Sequence, residues 1–154
     1  MALIALFDEF LIDPKYSYTI QDTITFAAFW KDDLHFSDYL KFNNFLADVN
    51  NERTTKNPQY RTNMLSLNKF VCFYGLLDTV VVPNSSPIFS FFAPGNLSQV
   101  VPFEKSGQYT EDWLGLRTLQ ERGDLYLMSV NCTHTGAPSN QCKNDIWPKT
   151  IPFL

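Results

Sequence analysis

Two short apolar runs constrain the fold of this 154-residue chain more than any other feature. Residues 69–75 and 125–130 are rich in β-branched and aromatic side chains along their length, which is typical of strands in a parallel sheet covered on both faces. Between them, Thr110 is followed by two acidic residues, a pattern that predicts the start of a helix, and Gly123 predicts its end. A strand, a crossover helix and a second strand form a βαβ unit.

The residues before the first strand are predicted to be mainly helical, and we expect no internal repeat. Apolar residues recur at helical spacing over 1–13 and 20–28, and residues 45–52 favour a third helix. Asn57 followed by Pro58 is typical of an N-cap with proline in the first turn. After residue 68 the pattern changes to short strands and turns, with one Phe-rich piece near 88–92.

Composition excludes several classes of partner. The net charge is −4 and the sequence pI is near 5.0, with lysines and arginines scattered along the chain, so nucleic acid is excluded as a partner. No apolar run approaches the roughly 20 residues that a membrane span needs. The opening run Met1–Phe7 has no basic region before it and is followed at once by acidic residues, so we expect no signal peptide in this chain.

Asp78 follows the first of the two apolar strands and His134 follows the second. In α/β-hydrolases the catalytic serine comes first, and the acid and the base follow in this order on loops at the carboxyl ends of strands. Upstream of Asp78 there is no G-x-S-x-G, because the only glycine there is Gly75. The chain is therefore expected to be the second half of an enzyme.

Six segments carry a resemblance to a known family, and they follow one another without long gaps: Phe29–His35, Phe45–Arg53, Tyr60–Val71, Leu77–Pro83, Trp113–Leu119 and Ile151–Leu154. In this order they resemble the C-terminal half of palmitoyl-protein thioesterases. The segment Phe45–Arg53, which reads F-L-A-D-V-N-N-E-R, is long enough to be specific. The resemblance runs from about residue 10 to the last residue.

The resemblance implies an α/β class, namely the C-terminal part of an α/β-hydrolase preceded by mainly helical segments. Residues 1–67 would be most of a helical insertion that helps to cover the acyl groove. Residues 68–154 would be the last core strands and helix. The implied parent reaction is hydrolysis of a long-chain acyl thioester on protein cysteine or a related thiol, without a cofactor.

By the same resemblance, Asp78 corresponds to the aspartate of the catalytic triad and His134 to its histidine. The serine and the oxyanion donors would belong to a half that is absent here, so we predict that the 154-residue chain alone is inactive. It would also depend on the missing N-terminal half for its stability. The alternative is a genuine short product, a non-catalytic secreted protein that binds or sequesters a partner.

Two of the three cysteines allow two interpretations. Cys132 and Cys142 bracket His134 at a spacing that suits either a disulfide closing a small loop or two free thiols. Cys72 lies in the middle of an apolar strand and is expected to be a buried thiol. Cys132 is a poor candidate nucleophile, because residues two apart in an extended loop point in opposite directions.

Three N-x-[ST] sequons are candidate glycosylation sites, at Asn84, Asn96 and Asn131. Sequons also arise by chance, but together with the resemblance they indicate a lysosomal or secreted parent protein. Since we expect no signal peptide here, the simplest expectation is a chain truncated at its N-terminus.

No metal site is predicted. His35, Asp32 and Asp33 are expected to be solvated polar residues in a turn, and no cluster has zinc or calcium spacing. For one group of aromatic residues two roles are possible: they could line an acyl groove or fill the core. The core role is favoured. The group consists of Phe89, Phe91, Phe92 and Phe103.

Overall fold

The computed structural model of the chain describes residues 25–136 and 142–153. Its helices are α1 (Thr25–Ala28), α2 (Phe36–Phe42), α3 (Leu46–Val49), α4 (Pro58–Leu65), α5 (Gly107–Thr110), α6 (Leu116–Glu121) and α7 (Lys143–Thr150). Its strands are β1 (Phe70–Gly75), β2 (Phe91–Ala93), β3 (Asn96–Val101) and β4 (Leu125–Val130). The helix predicted over 1–13 lies outside the described residues, as does most of the helix predicted over 20–28.

The two predicted apolar strands pair with each other. β1 and β4 run parallel, with Phe70 opposite Leu125 and Gly75 opposite Val130. Since α6 lies between them in the chain, the predicted strand–helix–strand order is confirmed. The described residues therefore form a mixed α/β structure. Parallel pairing in this register brings the carboxyl ends of the two strands side by side.

The predicted helix start at Thr110 is wrong. A short helix, α5, precedes this point and ends at Thr110. Ser106 caps it, because the Ser106 hydroxyl accepts a hydrogen bond from the backbone N–H of Tyr109. The next helix, α6, begins after Gly115, whose φ is 82°. Asp112 acts as its cap, because Oδ1 accepts hydrogen bonds from two backbone N–H groups in the first turn. The predicted end is right, with Gly123 just beyond α6 at φ 74°.

A second, antiparallel sheet is made by β2 and β3, which a turn at Pro94 and Gly95 joins. The Phe-rich strand predicted near 88–92 is confirmed only at its end, since β2 begins at Phe91 and residues 86–88 form a 3₁₀ turn. The partner β3 was not predicted. It is exposed over nearly its whole length and therefore shows little hydrophobic signal.

The larger core cluster lies between α6 and the start of the parallel sheet. Its buried members are Phe103, Leu114, Leu116, Leu119 and Leu125. Phe103 is only 2% exposed, so the core interpretation of this residue is the correct one. Phe89 packs beside Phe103 with ring centroids 5.7 Å apart. A smaller cluster of Val130, Cys132 and Cys142 lies at the other end of β4.

The prediction that Asp32 and Asp33 are solvated is wrong, because they are only 1% and 4% exposed. Asp32 Oδ1 accepts a hydrogen bond from the backbone N–H of His35 (3.0 Å) just before α2. Asp33 Oδ2 accepts one from the N–H of Phe92 in β2 (3.1 Å). These carboxylates fix the first described segment in place, and Asp33 ties it to the hairpin.

Candidate active site

Asp78 lies in the turn that follows β1. Its N–H donates to the carbonyl of Gly75 (3.2 Å), and its side chain is 10% exposed. Oδ1 accepts hydrogen bonds from the N–H groups of Val80 (2.8 Å) and Val81 (3.0 Å). The turn therefore holds one carboxylate oxygen and leaves the other free to meet a second side chain.

That second side chain is His134, which lies in the loop after β4. Its Nδ1 is 3.0 Å from Asp78 Oδ2, and its side chain is 46% exposed. The parallel pairing of β1 with β4 explains the meeting, because each residue follows the carboxyl end of its own strand. With Nδ1 occupied by the carboxylate, Nε2 is the nitrogen left to exchange a proton with a reacting group.

The environment keeps the carboxyl group of Asp78 ionised. Partial burial by itself would raise its pKa, but the hydrogen bonds from the Val81 N–H, from His134 and from the Val80 N–H outweigh burial and lower the pKa below its ordinary value. Asp78 is therefore a carboxylate at neutral and mildly acidic pH. In that state it can fix the tautomer of His134 and stabilise the imidazolium.

The two loops approach each other closely at Gly75. The N–H groups of Leu76 and Leu77 donate to the carbonyls of Val130 (2.9 Å) and Cys132 (3.0 Å), so the pairing continues past both strands. A Cβ on Gly75 would lie 2.6 Å from the Cys132 oxygen. Only glycine allows this approach without a shift of the backbone.

Two of the three cysteines form a disulfide, and the third is a free thiol. Cys132 and Cys142 are joined in a disulfide with a Cα–Cα distance of 5.8 Å, so neither sulfur is available as a nucleophile in this structure. Cys72 is free and only partly buried, and burial raises the pKa of its thiol to about 11. A thiol with so high a pKa is a weak nucleophile at neutral pH.

The three sequons occupy different environments. Asn96 and Asn131 are exposed, the first at the start of β3 and the second just after β4. Asn84 is half-buried, and its amide nitrogen lies within hydrogen-bond distance of the carbonyls of Gly75 (3.3 Å) and Leu76 (3.4 Å). In the sequence Asn84 is recognisable only as a sequon, and nothing there indicates these contacts with the turn that carries Asp78.

Within residues 25–136 and 142–153, no group of three or more His, Cys, Asp or Glu side chains is arranged to hold a metal ion. His35 uses Nδ1 to contact Asp32 Oδ2 at 3.0 Å. In the same part of the chain, no helix has both the length and the hydropathy to cross a bilayer.

Comparison with known proteins identifies the family. The family model described as palmitoyl protein thioesterase matches residues 4–134. Palmitoyl-protein thioesterase 3 of Dictyostelium discoideum is 40% identical over 148 residues, which are 96% of this chain and 51% of that protein. Palmitoyl-protein thioesterase 1 of Caenorhabditis elegans is 35% identical over 130 residues, which are 84% of this chain and 43% of that protein.

A third relative, the lysosomal thioesterase PPT2 homolog of Drosophila melanogaster, is 36% identical over 114 residues, which are 73% of this chain and 38% of that protein. The chain thus spans about half the length, or less, of the curated relatives it matches. The family match covers most of the described residues, including both Asp78 and His134. We conclude that the chain belongs to the palmitoyl-protein thioesterase family.

Proposed function

We propose that this chain supplies the acid and the base of a serine-type hydrolase that acts on long-chain acyl thioesters of protein cysteine or related thiols. The observation that supports this most is the 3.0 Å contact between His134 Nδ1 and Asp78 Oδ2 at the carboxyl ends of two parallel strands. In this proposal residues 68–154 are the C-terminal part of an α/β-hydrolase core, and residues 1–67 belong to a helical insertion beside the acyl groove.

The proposed chemistry assigns one role to each side chain. His134 Nε2 takes the proton from a serine hydroxyl as the oxygen attacks the thioester carbonyl, and Asp78 stabilises the resulting imidazolium. The carbon–sulfur bond then breaks, and the imidazolium returns the proton to the departing thiolate. Water attacks the acyl-serine in the same way, with His134 again as the base, and releases the fatty acid.

The nucleophile has to come from elsewhere, because none of the 154 residues lies in a G-x-S-x-G. We place the serine and the oxyanion donors in the part of the relatives' length that this chain does not match. It follows that the chain is inactive by itself and depends on that part both for chemistry and for stability.

The names of several relatives contain the word lysosomal, and this supports a lysosomal or secreted location for the whole protein. Of the three candidate glycosylation sites, Asn96 and Asn131 are exposed in the structure. Asn84 has its amide directed at the end of β1. We propose glycans at the two exposed sites, which mass spectrometry of the secreted protein before and after enzymatic deglycosylation tests.

A hybrid enzyme tests the catalytic proposal. It joins this chain to the part of the Dictyostelium relative that the chain does not match, and its turnover of a palmitoyl thioester is measured. His134→Ala and Asp78→Asn should each lower kcat by about 10³-fold or more, since both act on proton transfer. Binding of the acyl chain should change little, because neither residue is assigned to the groove.

His35→Ala is the matched control. His35 also contacts an aspartate through Nδ1 at 3.0 Å, but this pair lies at the start of α2 and not at the end of the parallel sheet. Its loss should leave kcat within about twofold. If the hybrid enzyme turns over substrate and either His134→Ala or Asp78→Asn keeps more than about a tenth of kcat, that residue does not have the proposed role.

A further inference from the structure

One face of α7 is turned towards the carboxyl end of β4. Cys142, at the N-cap of the helix, forms the disulfide with Cys132, and Ile146 packs against the buried cluster at the end of the strand. Asp145 and Lys149 lie on the same face, because residues spaced by three, four and seven positions align along a helix. The helix thus contacts the strand through a disulfide, an apolar side chain and two charged ones.

The two charged residues bind the backbone of the strand. Asp145 Oδ2 accepts a hydrogen bond from the N–H of Asn131 (2.7 Å). Lys149 Nζ donates to the carbonyl of Ser129 (2.8 Å), and it is paired with Asp145 Oδ1 at 2.7 Å. One ion pair therefore holds two backbone groups, one on each side of Val130.

These backbone groups belong to the outer edge of β4. The carbonyls of Val130 and Cys132 face β1, since they accept hydrogen bonds from the residues that follow it. In a parallel sheet alternate residues bond to opposite sides, so Ser129 and Asn131 face away from β1. Asp145 and Lys149 take the place of a neighbouring strand there. They fix the chain three residues before His134.

We propose that Asp145, held by Lys149, is a positioning residue for His134: through the N–H of Asn131 it sets the path of the loop and so the place of the imidazole next to Asp78. The inference rests on the proposed function. A side chain that orients a catalytic group affects the rate, because a displacement of about 1 Å can cost about 10²-fold.

An ion pair with a purely structural role would have the same geometry, so the test needs a matched control residue. Asp124 lies at the opposite end of β4, where its carboxylate accepts hydrogen bonds from Lys69 Nζ (2.8 Å) and Arg122 Nε (2.6 Å). Removing Asp124 breaks a comparable ion pair beside the end of β4 that is remote from His134. Both changes should lower the melting temperature, and only the change at Asp145 should affect catalysis.

The experiment compares variants of the hybrid enzyme. Asp145→Ala should lower kcat by about tenfold or more with KM within about twofold, because the base is misplaced while the acyl groove is intact. Asp145→Asn keeps an oxygen that can accept from Asn131 and should stay within about threefold of the parent. Labelling of the serine by a fluorophosphonate, which also needs the base, should slow in parallel with kcat.

The result expected for Asp124→Ala is a lower melting temperature with unchanged kcat and labelling rate. Equal effects of Asp145→Ala and Asp124→Ala on kcat, or no effect of Asp145→Ala, would overturn the inference. These outcomes are separate from failure of the proposed function, which would appear as turnover that survives His134→Ala. A hybrid that needs His134 but tolerates Asp145→Ala contradicts only the positioning role.

Discussion

Gly75 is the residue on which the close approach of the loops that carry Asp78 and His134 depends most directly. A Cβ there would lie 2.6 Å from the Cys132 oxygen and 3.3 Å from the Cβ of Asp78. Gly75→Ala must therefore push the two loops apart and separate Asp78 from His134. In the hybrid enzyme we expect kcat to fall by about 10²-fold, measured with a palmitoyl thioester under saturating substrate.

Gly123→Ala is the control for this prediction. Gly123 has φ 74°, which disfavours a side chain, but an added Cβ would contact nothing within 4 Å. The change should cost roughly 1 kcal/mol of stability through its backbone conformation and leave kcat unchanged. Wild-type kcat in Gly75→Ala would show that the loops tolerate separation and that their close approach has no role in catalysis.

The proximity of Asp78 and His134 could be anticipated from the sequence, because each follows an apolar run and parallel strands bring such ends together. The roles of Asn84 and Asp145 could not. Both side chains bind backbone groups at the end of a strand, and the sequence does not show which backbone groups are left without a partner. For Asp145 the only available signal was its spacing of four from Lys149 on a helix.

At the scale of elements, Asp33 connects the segment before α2 to the hairpin of β2 and β3. Its backbone carbonyl accepts from the N–H of Gly95 (2.7 Å) and its side chain accepts from the N–H of Phe92. Lys31 extends the contact, with Nζ 4.1 Å from the centre of the Phe91 ring and 2.6 Å from Glu52. The carboxylate of Asp33 is thus a buried charge at a junction between elements.

Burial raises the pKa of Asp33 to about 6 from its ordinary 3.8, with smaller contributions from Glu52 and Asp32, while Lys31 and the Phe92 N–H lower it. The protonated form is therefore favoured by folding. Its stabilisation is complete at low pH and is lost as the pH rises through about 6. Between pH 5 and 7.5 the loss from this one residue should be roughly 1.4 kcal/mol.

Urea unfolding of the hybrid enzyme at the two pH values checks this prediction. Asp33→Asn keeps an oxygen for the Phe92 N–H but cannot ionise, so the margin by which it is more stable than the parent should grow by roughly 1.4 kcal/mol between pH 5 and pH 7.5. An unchanged pH dependence in Asp33→Asn would show that the carboxylate of Asp33 does not titrate in this range.

Local signals predicted some elements well and failed where two signals competed. Asn57 caps α4 by accepting from the N–H of Gln59 (3.0 Å), with proline at the first position, as predicted. Thr110 resembles a cap in the sequence, but Ser106, four residues earlier, caps a separate short helix that ends at Thr110. Strand β3 was missed because it is exposed, and its pairing with β2 depends on a turn rather than on hydrophobic alternation.

At the scale of the whole molecule, much apolar surface surrounds the candidate site. Four large side chains in the segment that carries Asp78 are between 47% and 60% exposed: Leu76, Leu77, Val80 and Val82. On α7 and just after it, Trp147 and Ile151 are 56% and 58% exposed. The parallel sheet has only two described strands, and so small a sheet rarely stabilises a domain alone.

We therefore predict that the isolated chain is molten, aggregated or dependent on the part of the relatives that it does not match. Circular dichroism and tryptophan fluorescence should give broad, non-coincident melts, whereas the hybrid enzyme should melt cooperatively. A monodisperse monomer with one sharp transition by both probes would contradict this dependence. It would favour a stand-alone protein that binds a partner without catalysis.

Palmitoyl-thioester hydrolysis by the purified 154-residue chain itself decides whether the chain carries the acid and the base but not the nucleophile. We expect no turnover above that of the His134→Ala chain, and clear turnover by the hybrid enzyme under the same conditions. Turnover by the isolated chain that disappears in His134→Ala would contradict this expectation, because a nucleophile would then have to lie within these residues.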